Sequence, residues 1–472
     1  MLTQSRKSKG ASYFSEDTVV ALSTAPGGAI GIVRVSGPGT GAISEKLTKQ
    51  KLRWSEFEPN SAKKSLIFDT KGRPLDETVL LKFANPHSFT GEDVLEIHHH
   101  GNFLISERIL ETAIAYGARQ ALAGEFSFRA VRNGKLTLPQ AEAIADLISA
   151  GNEEAARLAL EKMSGSQLHA ISEISEKLRQ LAASGELGID FSDQDIDELG
   201  LARIKEQLKD PVSRLKILAG SFQRGNRLQE GIPTALVGLP NAGKSSFFNA
   251  LLGEDRSIVS HIAGTTRDVV REKLLLQGAD TTLTFRLEDT AGIRKTADEV
   301  EKIGIDRTLQ SAKRAELVLL IVDATLDEAA LDISDLPQSP EHFLGVLTKC
   351  DLVKAERIRQ KINELIIQTQ VQTWLPTSAV SGAGVSEVAE AMVRTARQWV
   401  GRKEGEILLT RVEHLDAINH ALGHLIRAEL APELDLFAAD IRQALHALAP
   451  LIGETVADDI LGRVFSQFCI GK

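Results

Sequence analysis

Gly238-Leu239-Pro240-Asn241-Ala242-Gly243-Lys244-Ser245 decides how the centre of this chain folds. Two glycines bracket four residues and are followed at once by Lys and Ser, the pattern of a phosphate-binding loop. Thr234-Ala235-Leu236-Val237, just before it, reads as a short buried strand, and Phe247 to Leu252, just after, as the start of a helix. A strand feeding such a loop into a helix N-terminus aims backbone N–H groups at one point, where the helix dipole also favours negative charge. Gly238 and Gly243 allow backbone angles and close approach that a side chain would block. Lys244 is expected to reach the β- and γ-phosphates of a nucleotide and Ser245 to ligate magnesium. Asn241, Ala242, Gly243 and Ser246 complete the loop's share of the site.

Further elements follow in the order a nucleotide site requires. Leu283 to Leu287 reads as a strand and runs into Asp289-Thr290-Ala291-Gly292, where Asp289 can hold a magnesium-bound water and the Gly292 N–H can sense a γ-phosphate. Leu317 to Val322 is a strongly apolar strand ending at Asp323. Phe343 to Leu347 leads into Thr348-Lys349-Cys350-Asp351. A carboxylate at Asp351 can accept both the N1 and N2 protons of guanine, which adenine does not offer, so the pattern predicts GTP rather than ATP. Thr348 stands where Asn is usual. Thr377-Ser378-Ala379 follows another strand end, and Ser378 and Ala379 suit a contact to the base. Together these predict a doubly wound α/β domain with its ligand at the carboxyl ends of the strands. Many small GTPases orient the attacking water with a Gln directly after Asp-x-x-Gly. Here that position is Ile293, so the task falls to another group. The acidic run Asp298-Glu299-Val300-Glu301 is one candidate source, and a solvated helix start is its plainer reading.

The length of 472 residues suits about three domains. A net charge of −9 argues against a protein that coats nucleic acid over its whole surface. Two cysteines, Cys350 and Cys469, make no disulfide framework and fit a reducing, cytoplasmic setting. No apolar run approaches the roughly 20 residues of a membrane helix, and the first 14 residues lack the apolar core of a secretory signal.

Val19 to Val35 and Val79 to Phe83 read as strands broken by turn-rich stretches such as Pro26-Gly27-Gly28, and Leu104 to Ala115 as an amphipathic helix. Residues 1–135 are therefore an expected α+β domain. From Leu138 apolar residues recur at helical spacing (Ala141, Ile144, Ala145, Ile148), and the same period returns at Leu415, Ile418, Leu422 and Leu425. Apolar stripes must be covered, and the economical solution packs 136–230 and 399–472 into one split helical domain, with a G domain at 231–398 inserted in it.

The chain ends in Phe468-Cys469-Ile470-Gly471-Lys472. This tail, Gly31-Ile32-Val33-Arg34-Val35-Ser36-Gly37-Pro38, Ser88-Phe89-Thr90-Gly91-Glu92-Asp93, Gly124-Glu125-Phe126, Gln140-Ala141-Glu142-Ala143-Ile144-Ala145-Asp146-Leu147-Ile148 and Ala263-Gly264-Thr265-Thr266-Arg267-Asp268 together resemble the MnmE (TrmE) family of tRNA uridine-5-carboxymethylaminomethyl modification GTPases. The likeness covers nearly the whole chain. It implies a homodimer formed through the N-terminal domains, which bind 5,10-methylenetetrahydrofolate or 5-formyltetrahydrofolate through Arg34, Glu96, Lys135 and Lys472. Two departures from the family pattern stand there: the loop Pro26 to Gly31 is one residue short, and Asn102 replaces a glycine. In the G domain the resemblance implies Thr266 as the second magnesium ligand. It also implies potassium held by Asn241 and by carbonyls near Ser260, Ile262 and Thr265, with Glu301 positioning the attacking water. Potassium would then supply the positive charge that an arginine finger supplies elsewhere. Cys469 is implied as a nucleophile or relay. The expected activity is potassium-stimulated GTP hydrolysis. With a flavin-dependent MnmG-family partner in a heterotetramer, it would accompany addition of a carboxymethylaminomethyl or aminomethyl group to carbon 5 of the wobble uridine of tRNA. The alternative is a ribosome-assembly or regulatory GTPase switch, since fold does not fix function. Such proteins usually carry a basic RNA-binding module, and the sequence shows no dominant basic run. Arg129, Arg132 and Lys135 are the candidate tRNA-facing stretch, with a solvated face as the plainer reading.

Overall fold

The computed structural model describes residues 12–25, 27–190, 198–253, 257–260, 272–278, 281–287, 312–326, 342–403 and 405–454, together with Phe465, Phe468 and Gly471; for 185–190, 198–200, 257–260 and 272 it describes the backbone only. The chain divides into two compact units, residues 1–145 with 449–472, and residues 146–448.

The first unit is built on a six-stranded sheet. Its strands are β1 (Val19–Leu22), β2 (Ile30–Ser36), β3 (Ser61–Phe68), β4 (Pro74–Phe83), β5 (Val94–His100) and β6 (Arg119–Gln120). They lie in the order β3-β4-β5-β2-β1-β6, antiparallel except for the β1–β6 pair. Alternation sets the faces. Val33 and Val35 of β2 and Leu95 and Ile97 of β5 are buried in one core, and helices Thr40–Leu47 and Phe103–Ala115 add Ile43, Leu47, Ile109 and Ala113 to it. Asn102, the departure from glycine, is the N-cap of the second helix: its backbone is extended at φ −83° and its side chain accepts from the Leu104 N–H at 2.8 Å.

Helix Glu125–Arg132 carries a buried charge cluster rather than a solvated basic face. Arg129 is completely buried. Its guanidinium donates to Glu125 Oε1 at 2.9 Å, to Glu92 Oε2 at 3.0 Å and to the Asp17 carbonyl at 2.7 Å. Arg119 donates to the same Glu125 and to Asp17 at 2.7 Å each. The expectation of a solvated or tRNA-facing stretch is thus corrected at Arg129. Only residues distant in sequence, folded into contact, supply enough acceptors to hold a guanidinium out of water.

In the second unit, β7 (Ile232–Val237), β8 (Ser257–Ser260), β9 (Glu272–Gln277), β10 (Thr282–Leu287), β11 (Leu317–Asp323), β12 (Phe343–Thr348) and β13 (Trp374–Pro376) form a seven-stranded sheet in the order β13-β12-β11-β7-β10-β9-β8. β13, β12, β11, β7 and β10 run parallel, β9 is antiparallel to β10, and β8 is antiparallel to β9 and so runs with the parallel set. Every residue of β7, β11 and β12 is buried, the continuous apolar reading of a parallel sheet covered on both faces. Helices Ser166–Asp190, Lys209–Glu230, Val412–Leu430 and Leu434–Leu448 pack together. The helical stripes before and after the inserted α/β domain therefore cover one another, as the spacing predicts.

Candidate functional site

The parallel strands deliver four connections to one edge of the sheet. β7 ends at Val237 and enters the glycine loop, which closes into helix Lys244–Gly253. The loop has no room for a side chain at its first position: a Cβ on Gly238 would lie 2.3 Å from the Ile321 carbonyl oxygen of the neighbouring strand β11. Asn241 and Gly243 both take positive φ, +61° and +88°. Lys244 folds back over the loop, and its ammonium donates to the carbonyls of Gly238 and Leu239 at 2.8 Å each. Burial lowers its pKa from the ordinary lysine range. A partly desolvated cation inside a ring of backbone groups is placed to meet an anion.

The 348–351 segment is joined directly to that loop. The Thr348 hydroxyl lies 2.7 Å from the Ala242 carbonyl and 3.1 Å from the Val322 carbonyl, and the side chain is buried. Lys349, at φ +57°, donates to the Asn241 carbonyl at 3.1 Å and to Asp323 Oδ2 at 2.6 Å. Asp323 also accepts from the backbone N–H and the hydroxyl of Thr325 at 2.9 and 2.7 Å. Burial raises its pKa, but the Lys349 and Thr325 hydrogen bonds outweigh that and the net shift is downward. Asp351 is exposed beyond Lys349. Ser378 is buried, with its backbone N–H donating to the Ala383 carbonyl at 2.9 Å, and Ala379 is half-buried beside it. Cys350 N–H donates to the Thr377 carbonyl at 3.0 Å, tying the β12 and β13 ends together.

The structure thus brings Asn241, Ala242, Gly243, Lys244, Ser245, Ser246, Thr348, Lys349, Asp351, Ser378 and Ala379 to the carboxyl edge of one sheet. Ser245 and Ser246 stand exposed in the first turn of the helix. Of the remaining expected residues, Thr265, Thr266, Ile262, Asp289, Thr290, Ala291, Gly292, Glu301, Cys469 and Lys472 lie outside the described residues, and Ser260 is described only as the last residue of β8. Asp323 escaped assignment from sequence. The available signal was a carboxylate ending an otherwise wholly apolar strand.

In the N-terminal unit, Arg34 and Glu96 face each other across β2 and β5, with Arg34 Nη2 donating to Glu96 Oε1 at 2.7 Å. The guanidinium lies 5.6 Å from the Phe89 ring centre and 5.5 Å from that of Phe126. His98 Nε2 is 3.2 Å from the other Glu96 oxygen. Lys135 is exposed and its stem borders Gly91, in the loop that carries Phe89.

Comparison with known proteins identifies both parts. Residues 18–135 match the model of the GTP-binding protein TrmE N-terminus, and residues 138–469 match that of the MnmE helical domain. The tRNA modification GTPase MnmE of Thiobacillus denitrificans is 41% identical over 459 residues, covering 97% of this chain and 98% of its own. The protein of the same name from an Azoarcus species is 40% identical over 97% of this chain and 98% of its own, and that of Xanthomonas campestris 39% over 97% and 99%.

Proposed function

The chain belongs to the MnmE (TrmE) family, and from that premise we propose that it is a tRNA modification GTPase that hydrolyses GTP at the 238–245 loop. The observation that carries the reading is the joining of the phosphate loop to the 348–351 segment through Thr348 and Lys349, with Asp351 placed beyond it. Lys244 meets the phosphates by giving up its two carbonyl partners, and Asp351 accepts from guanine. Ser245 and Thr266 would hold magnesium. Asn241 and the carbonyls near Ser260, Ile262 and Thr265 would hold potassium, which would supply positive charge for the phosphates. Glu301 positions the attacking water.

Glu96, fixed by Arg34, whose guanidinium lies 5.6 Å from the Phe89 ring centre, offers a carboxylate of the kind that suits a pterin edge. That donor and acceptor set fits tetrahydrofolate, with Lys135 and Lys472 meeting its carboxylates. As a homodimer joined by a flavin-dependent MnmG-family partner, the protein would act in the cytoplasm on carbon 5 of the wobble uridine, with Cys469 as a nucleophile or relay.

Nucleoside mass spectrometry of bulk tRNA from cells with and without the gene tests the reading. Loss of 5-carboxymethylaminomethyl- or aminomethyl-type uridines on deletion, restored by the wild type but not by Glu301→Ala, is expected. Unchanged uridines would reject it and leave a GTPase switch with another output.

A further inference from the structure

Folding gathers a positive patch that the linear sequence disperses. Residues 46–73 carry eight Lys or Arg against three Asp or Glu, a net of +5 in a chain whose total is −9. Helix Thr40–Leu47 and the turn after it set three of these cations against two rings, and the β3–β4 turn carries two more, Lys71 and Arg73. Lys49 Nζ lies 4.1 Å from the Phe68 ring centre and donates to the Gly72 carbonyl at 2.8 Å. Lys51 Nζ lies 5.6 Å from the same ring, and Lys46 Nζ 5.5 Å from the Tyr116 ring. The Tyr116 hydroxyl reaches the Asp69 carbonyl, and the Asp69 carboxylate takes the Lys71 N–H and the Arg73 guanidinium. All five cationic side chains are exposed. Asp69 satisfies Arg73 alone. Among the described residues, none of Lys46, Lys49, Lys51 and Lys71 has a carboxylate within salt-bridge distance.

We propose that this patch, Lys46, Lys49, Lys51, Lys71 and Arg73, is a docking surface for the phosphate backbone of tRNA. The proposal rests on the tRNA-modification reading above. Lys46, Lys49 and Lys51, held by aromatic faces and a carbonyl rather than by carboxylates, keep their charge unneutralised and pre-placed, at little cost to the fold. Ammonium groups on flexible stems suit phosphates as point charges. The rings lie under the lysines: Phe68 is buried and Tyr116 half-buried, so neither offers a free face on which a base could stack. Contacts to phosphates without base contacts position an RNA and do not read its sequence. The surface therefore accounts for holding a tRNA body, and leaves selection of the uridine to another part of the assembly.

The test is tRNA binding by the full-length protein, titrated at several salt concentrations, for the wild type, for Lys49→Glu/Lys51→Glu/Lys71→Glu, and for a control with the same charge change, Lys216→Glu/Lys313→Glu/Lys403→Glu. The milder Lys→Gln version of the patch variant guards against misfolding, and basal GTPase activity, whose residues are untouched, reports an intact chain. The expected result is a loss of about 30-fold or more in the patch variant, a shallower salt slope by about three, and a control close to wild type. Patch variants that bind as the wild type does would overturn the surface and leave the function reading standing, which is also the outcome if the patch serves an acidic protein instead. A wild type that binds no tRNA would overturn both.

Discussion

Thr348 shows how far one position could be read before folding. Sequence marks it as a departure from Asn and leaves its consequence open. In the structure its hydroxyl holds the Ala242 carbonyl at 2.7 Å, so the phosphate loop keeps its tether. A hydroxyl has one proton, and that proton is engaged inside the protein, so in the proposed function base recognition in this segment is assigned to Asp351. Thr348→Val keeps the shape and removes the donor. Leaving a buried carbonyl unsatisfied costs about 1–3 kcal/mol, so GDP and GTP are expected to bind roughly 5- to 150-fold more weakly, while Thr348→Ser stays near wild type. Titration with a fluorescent guanine nucleotide decides this, and a valine variant of unchanged affinity would show that the tether contributes nothing. Gly238 is the opposite case, where sequence sufficed. The motif demands glycine, and a Cβ there would meet the Ile321 carbonyl oxygen at 2.3 Å. Backbone on both sides has to yield, so Gly238→Ala is expected to abolish nucleotide binding and to lower stability by about 1–3 kcal/mol. Retained binding in the same titration would refute the steric reading.

At the scale of the element, apolar runs and periods carried most of the information. β7, β11 and β12 are legible because strands buried on both faces must be apolar throughout. Helix Glu125–Arg132 is legible as a helix but not in its role, because the partners of Arg129 come from Asp17 and Glu92 as well as from its own Glu125. Charge in a sequence says nothing of burial until those partners are known. Asp17 gives this cluster a pH signature. The Arg119 hydrogen bond, working against some desolvation, lowers its carboxyl from an ordinary 3.8 to about 2. A depressed carboxylate stabilises the fold fully above 3.8, and that contribution is lost as pH falls through 2. Asp17 is 38% exposed, so solvent screening reduces the effect to about 1 kcal/mol. Acid unfolding of wild type and Asp17→Asn should therefore differ above pH 4 and converge towards pH 2. A constant difference across that range would remove Asp17 from the account.

At the scale of the whole molecule, insertion of one domain into another poses a mechanical problem that no local pattern announces. The chain enters the α/β domain after Glu230 and leaves it after Val400. Arg227, in the last turn before entry, donates to the Trp399 carbonyl at 3.0 Å and pairs with Glu316, just ahead of β11, so entry and exit are pinned side by side. Arg224 adds a bond to Glu406, beyond the exit. Further along, Lys162 on helix Glu153–Met163 donates to Asp146 and to Thr410 at 2.7 Å each, and Arg411 donates to the other Asp146 oxygen at 2.8 Å. Residues from before the insertion and from after it thus share one buried carboxylate. Asp146→Leu strands a buried ammonium at Lys162 and is expected to cost about 3–5 kcal/mol, whereas Asp146→Leu with Lys162→Met removes that ammonium as well and recovers the part of the loss due to it, leaving only the more exposed Arg411 without its carboxylate. Thermal unfolding of the two variants separates the readings. If the single variant proves as mild as the double, Lys162 reaches water in the folded state and the buried tie across the insertion does not exist.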